Sequence, residues 1–316
     1  MKVGVVGAGV MGCAAAWALR ERGAEVEVFE QFELDNTRGS SHGRTRVFRV
    51  AYPDAYWIRL AQEAYAGWRD LERQAGAELL GLYGLVELAP DSALTSARAL
   101  EECGVEYRMP AEVEGIVVPG GWTALQVADA GVVYADRARH AFLGGVDVRT
   151  NTRIESLDDV DADAVVVTAG AWIGRLVGGL DVRVTRETVV YFRHTGPLLP
   201  SVADIGAGGG HEMYALHDPV HGLKAGAHHA GAEADPDEPG EPDPAIVERT
   251  AAWVAERFPG VDPEPVETDT CVYTTTPDHS FVLERRGRVV VGSACSGHGF
   301  KFAPAVGRRL AALALA

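Results

Sequence analysis

The sequence predicts an α/β fold in two parts: a parallel-sheet domain assembled from separated stretches, and an antiparallel-sheet domain inserted into it. Three observations predict this. Residues 3–30, VGVVGAGVMGCAAAWALRERGAEVEVFE, read as strand, turn, helix and strand. Far downstream, DAVVVTAG at 163–170 is a β-branched run without alternation, the pattern of a parallel strand covered on both faces. Residues 182–192, in contrast, alternate as an antiparallel strand does. The parallel domain therefore resumes after an interruption.

The first turn carries the most specific local signal. Val3, Val5 and Val6 run into Gly7-Ala8-Gly9-Val10-Met11-Gly12, with the spacing G-x-G-x-x-G. Gly7 permits the tight turn, Gly9 lets backbone approach a pyrophosphate, and Gly12 lets the helix pack closely on the strand. The helix N-terminus then offers unpaired N–H groups and a positive dipole end to phosphate. Glu30 ends the second strand, where a carboxylate can accept hydrogen bonds from ribose hydroxyls and disfavours a 2′-phosphate. Alanine–glycine helices also exist for packing alone, but strand, helix, second strand and terminal acid agree here on a dinucleotide. The motif itself does not separate FAD from NAD(P).

The other elements follow in order. Residues 36–45, NTRGSSHGRT, read as a polar loop, and Arg44, Arg46 and Arg49 follow at short spacing. That cluster is either a solvated basic loop or the wall of an anion-binding cleft. Residues 54–75 carry Trp57, Leu60, Ala61, Ala64, Tyr65, Trp68 and Leu71 at intervals of three and four, an amphipathic helix whose aromatics read as core. Residues 79–88, 105–108, 146–149 and 153–157 read as strands, and 135–143 as a helix. So do 222–227, 266–273, 281–283 and 288–291 as strands, and 245–258 and 303–316 as helices, with an acidic, proline-rich loop at 231–244. The boundaries expected are 1–78, 130–181 and 270–316 for the dinucleotide domain, and 79–129 with 182–269 for the inserted one.

Composition narrows the function classes. The 316 residues hold 47 % hydrophobic and 23 % charged side chains, as an ordinary globular protein does. With 45 acidic against 29 basic residues the formal charge is −16, which disfavours nucleic acid and anionic membrane surfaces as partners. An anionic substrate would need a local basic pocket. No apolar run approaches the ~20 residues of a membrane helix. Cys13, Cys103, Cys271 and Cys295 show neither CxxC nor a disulfide-framework spacing, which fits a reducing cytoplasm.

Lys2, Lys224 and Lys301 are the only lysines. Lys224 lies in the apolar strand GLKAGA and Lys301 between two phenylalanines in SGHGFKF, a second glycine-bearing turn into a helix. Each is a surface lysine beside an element end or a cation held in a pocket. His211, His217, His221, His228 and His229 crowd one stretch without HExxH or Cys/His ligand spacing, so no metal is expected. There is no G-x-S-x-G elbow for a serine hydrolase.

Six stretches resemble the monomeric sarcosine oxidase and N-methyltryptophan oxidase family, in that family's order and over nearly the whole chain. They are VGVVGAGVMG, GSSHGRTRVFR at 39–49, TAGAW at 168–172, GLKAGAHH at 222–229, CVYTTTPD at 271–278 and SGHGFKF at 296–302. The resemblance implies the D-amino-acid-oxidase-like fold, with a discontinuous Rossmann-like FAD-binding domain. It implies FAD, attached through a thioether at Cys271. It assigns to the flavin Gly7, Gly9, Met11, Gly12, Glu30, Ser41, Arg46, Val148, Gly170, Trp172, Cys271, Tyr273, Gly297, Gly299 and Lys301. Arg49 and Lys301 match the pair that grips the substrate carboxylate, and Lys224 the lysine that promotes reaction of reduced flavin with oxygen. Arg46 matches the basic residue beside the flavin, and His228 and Tyr214 fall where the cavity is lined.

There are departures. Arg44 replaces an acid, His279-Ser280-Phe281 stands for Glu-His-Phe, Cys295 takes a place that is often aromatic, and the stretch between 148 and 164 is short. The expected function is oxidation of a secondary or N-methyl amino acid to an imine, with oxygen reduced to hydrogen peroxide, by a cytoplasmic monomer. A cyclic imino acid or secondary-metabolite substrate, a dehydrogenase, and a non-catalytic flavin-binding regulator are the alternatives.

Overall fold

In the computed structural model, which describes residues 1–93, 96–207 and 211–316, a six-stranded sheet positions the first turn. Its order is Val282–Arg286, Val289–Ser293, Ala164–Val167, Lys2–Val6, Glu25–Phe29 and Asp147–Arg149. Every neighbour pair is parallel except the hairpin at one edge. Lys2–Val6 lies inside, with Val3 and Val5 fully buried, because helices cover both faces of a parallel sheet. The helix Val10–Glu21 that follows is buried from Val10 to Leu19.

The second sheet runs Ala232–Glu233, Arg183–Arg193, Gly222–Ala227, Met213–Asp218, Ser201–Asp204, Leu85–Pro90 and Trp122–Val127. It is antiparallel apart from one join, where Ser201–Asp204 pairs parallel with Leu85–Pro90. That join unites two stretches far apart in the chain. Pro265–Thr275 pairs with Arg183–Arg193 over ten residues, Cys271 opposite Glu187. A domain boundary between residues 269 and 270 therefore falls inside one continuous strand. The alternating register holds Cys271 in the antiparallel sheet, whose own core lies under the helix Pro244–Arg257.

Other expectations need correction. Residues 79–88 break into Leu80–Gly81 and Leu85–Pro90, because Gly84 turns the chain at φ +87°. Residues 105–108 make only a bridge between Arg108 and Gln126. Residues 153–157 form no strand: Asp147–Arg149 is the sheet's last strand, and the chain then turns back over Glu30, Thr152 N–H donating to its carbonyl. Residues 45–48 of the arginine-rich stretch are not loop but a strand, Thr45–Phe48, paired with Gly131–Tyr134.

The helix Ala55–Ala75 braces one end of the cavity described below. Asp54 caps it by accepting from Tyr56 N–H, and Gly76 ends it in the left-handed conformation. Its inner face buries Ile58, Leu60, Ala61, Ala64, Trp68 and Leu71, each large side chain contributing about 1.5–3 kcal/mol. Trp68 Nε1 donates to the carbonyl of Lys301 at 2.8 Å, so this face also fixes the turn that carries Lys301.

Candidate active site

A groove of about 420 Å³ starts at the Gly7 turn and ends between the two sheets. At the first end, the turn and the helix start are locked by neighbours. Glu30 accepts from the N–H of Ala8 at 2.8 Å and of Phe32 at 3.0 Å, and Ser41 Oγ accepts from Val10 N–H at 3.0 Å. Gly7 takes φ +100°, and a Cβ there would stand 2.6 Å from the Thr168 carbonyl. A Cβ on Gly12 would meet the Gly7 carbonyl oxygen at 1.9 Å. Gly12 therefore does not line the groove; it brings the helix N-terminus up to it.

Further along stand Gly170 and Trp172, the indole N–H of Trp172 donating to Asp237 at 2.6 Å. Val148 is not in the groove. It is held in the edge strand opposite Val28, and the groove meets the chain only afterwards, at residues 152–155. Arg139 lines the groove unforeseen. Its guanidinium reaches the Leu34 carbonyl, while its buried Nε has no partner among the described residues. Such an orphaned cationic donor, beside a helix N-terminus, suits the anionic half of a dinucleotide. The residues present fit FAD.

At the other end the antiparallel sheet supplies the charges. Lys224, 4 % exposed, donates to the Thr45 carbonyl at 3.0 Å, and Arg46 Nη1 donates to the same oxygen at 2.9 Å. Two cations thus share one acceptor. Burial, then Arg46, lowers Lys224 to about 7. Cys271 lines this wall with Tyr273, and burial pushes its thiol up to about 11 although Arg46 and Lys224 pull the other way. His228 Nδ1 and Tyr273 Oη lie 3.2 Å apart. Burial, then His229, holds His228 well below the ordinary histidine range, so it is neutral at pH 7. Tyr214 stands partly buried on the same wall, its phenol raised chiefly by desolvation.

Arg49 and Lys301 face this cavity from different elements. Lys301 is 2 % exposed, and its ammonium donates to the His298 carbonyl at 2.6 Å. Burial, then Arg49, lowers it well below the usual lysine range, a shift that a bound anion would oppose. Arg49 lies over the Tyr52 ring and donates to Glu212 at 2.6 Å. Glu212 escaped the sequence reading: it precedes the strand Met213–Asp218 and belongs to no periodic pattern. Met11, Gly297 and Gly299 complete the lining. Arg44 turns away, to Asp218 at 2.7 Å and to Glu267. Among the described residues no group of three His, Cys, Asp or Glu could hold a metal ion, and no helix is long and apolar enough to cross a membrane.

Known proteins are similar to this chain in sequence and in fold. Peroxisomal sarcosine oxidase of Homo sapiens is 31 % identical over 98 % of this chain and 91 % of its own length. A probable sarcosine oxidase of Arabidopsis thaliana is 33 % identical over 98 % and 87 %. Monomeric sarcosine oxidase of Bacillus sp. (strain B-0618) is 27 % identical over 98 % and 91 %. Among solved structures, NikD, an unusual amino acid oxidase essential for nikkomycin biosynthesis, superposes with a TM-score of 0.86 at 24 % identity, over 99 % of this chain and 93 % of its own. L-proline dehydrogenase from P. horikoshii reaches 0.85 at 20 %, over 99 % and 92 %; these two likenesses speak for the fold. The FAD dependent oxidoreductase family matches residues 2–313, and the chain belongs to it.

Proposed function

We propose that this chain is an FAD-dependent oxidase of a secondary or N-methyl amino acid. One observation carries the reading: Arg49, Lys224 and Lys301, from three distant segments, line a single cavity that continues into the dinucleotide end of the groove. FAD held along this groove would supply the electron acceptor for oxidation at the carbon beside the amine nitrogen and, once reduced, the reductant for oxygen.

The chain does the rest. Arg49 and Lys301 hold the substrate carboxylate, which would take the place of Glu212 on Arg49 and give Lys301, now donating to the His298 carbonyl, an anionic partner. Neutral His228, steadied by Tyr273, and Tyr214 shape the wall against which the amine lies. Lys224 and Arg46 set positive charge where negative charge develops as oxygen is reduced. The groove walls from both sheets hold the reacting groups in register. Cys271 carries the flavin as a thioether, a role supported by its place on the groove wall between these cations. A small amino acid and O2 are the partners, and the working form is a cytoplasmic monomer. The four free cysteines support a reducing compartment.

A panel of N-methyl, cyclic and primary amino acids, assayed aerobically for hydrogen peroxide, tests the reaction. Peroxide formed at the rate an N-methyl amino acid is consumed is the expected result. Absence of flavin reduction by every member of the panel, even anaerobically, would leave a non-catalytic flavin protein. Reduction without peroxide, coupled to a dye, would make it a dehydrogenase. Acid precipitation tests the bond to Cys271: a yellow pellet is expected, and a yellow supernatant refutes it.

A further inference from the structure

We propose that Glu212 is a specificity-determining residue of this site: it occupies Arg49 in the free protein and, once displaced, selects ligands bearing a positive charge next to their carboxylate. The inference rests on the reading of Arg49 as the carboxylate clamp. Arg49 Nη1 donates to Glu212 Oε1 at 2.6 Å, with the side chains 17 % and 25 % exposed. Glu212 thus stands where a ligand carboxylate would stand. Its backbone is fixed as well, because its carbonyl accepts from His228 N–H at 2.7 Å. The carboxylate can swing aside while its Cα stays on the cavity wall.

What displacement costs decides which ligand can cause it. Arg49 is the one side chain that hydrogen-bonds the Glu212 carboxylate among the described residues. Close to both lies Glu87, 2 % exposed, which accepts from Ser96 at 2.7 Å and keeps one oxygen without a partner. A simple anion that takes Arg49 therefore leaves the Glu212 carboxylate, with the Glu87 carboxyl nearby, facing a charge of its own sign. A half-buried carboxylate deprived of its partner is strongly unfavourable. A zwitterion repairs the loss, since its cationic centre lies one carbon from its own carboxylate and next to the displaced Glu212. Glu212 then changes partner instead of losing one. Amino acids arriving with a protonated amine meet this condition, and fatty or keto acids of the same size do not.

The test uses the holoprotein and two ligands of nearly equal shape. Dimethylsulfonioacetate carries a fixed positive charge and no amine to oxidise; 3-methylbutanoate replaces its sulfur by carbon. Calorimetric titration of the wild type is expected to show the sulfonium compound binding about tenfold more tightly. In Glu212→Gln, with flavin content and thermal midpoint as controls on folding, that preference disappears: 3-methylbutanoate tightens and dimethylsulfonioacetate weakens. An unchanged preference in the variant removes Glu212 from specificity and leaves the clamp intact. Failure of both ligands to bind the wild type overturns the clamp, and this inference with it.

Discussion

The two ends of the groove are built on opposite principles. At the Gly7 end, positioning is local: glycines, a helix start and Glu30 lie within 30 residues, and Glu30 fixes the turn through the Ala8 N–H. At the Lys224 end, positioning is long-range: Thr45 holds Lys224 across 179 residues, and Trp68 holds the Lys301 turn across 233. Of the first end's charged lining residues, Arg153, Glu155 and Arg175 are exposed while Glu30 and Arg139 are buried. The second concentrates charge that the protein must keep from water and from its own kind. Affinity for the cofactor and chemistry on the substrate are thereby separable, and substitutions should separate them.

The largest expected effect is at the local end. Gly12→Ala sets a methyl 1.9 Å from the Gly7 carbonyl oxygen and must open the turn. Purified protein should contain almost no flavin. Gly120→Ala, where nothing stands within 4 Å, should keep its full complement. Equal flavin content in both would end the distinction between the two ends.

Next comes Lys224→Met, which should slow flavin reoxidation by roughly 10²–10³, the usual loss for one preorganised charge. Anaerobic reduction by substrate should be spared. Equal loss in both half-reactions would place Lys224 in substrate binding instead. Lys301→Met should raise KM for the amino acid by about 10–100-fold, as one charge-assisted hydrogen bond is worth. An unchanged KM would remove Lys301 from the clamp.

The smallest effect is a pH dependence. Lys224 lies near 7, so its cation is present below that pH and lost above it. The reoxidation rate should fall by about tenfold between roughly pH 6 and 8 in the wild type and stay flat in Lys224→Met. The same profile in both would assign the titration to another group.

The local end was also the legible one. A G-x-G-x-x-G turn, an apolar run and a terminal acid follow one another in sequence, so pattern reading finds them. Residues 135–143 and 222–227 likewise matched their elements, because periodicity suffices there. Thr45–Phe48 did not read as a strand, since it is short, holds Arg46 between Arg44 and Arg49, and pairs only with the distant Gly131–Tyr134. Family resemblance, not periodicity, pointed to Arg49, Lys224 and Lys301, and all three line the cavity. Glu212 and Arg139 had neither signal. Their places depend on strand register and on a helix packed from elsewhere, which no short stretch encodes.

The strand Pro265–Thr275 has a mechanical consequence. The larger core joins the helices beside the parallel sheet to Leu85, Leu125 and Val127 of the antiparallel one, a second core lies under the antiparallel sheet, and the groove draws walls from both sheets. A cofactor seated from Glu30 to Cys271 therefore acts as a rivet between two bodies. Stripped of it, the bodies can melt separately; loaded, they share the ligand's binding free energy and come apart together. The cofactor is then part of the protein's cooperativity as well as of its chemistry. Calorimetric melting of apoprotein produced without riboflavin should narrow from two overlapping transitions to one once FAD is supplied and bound.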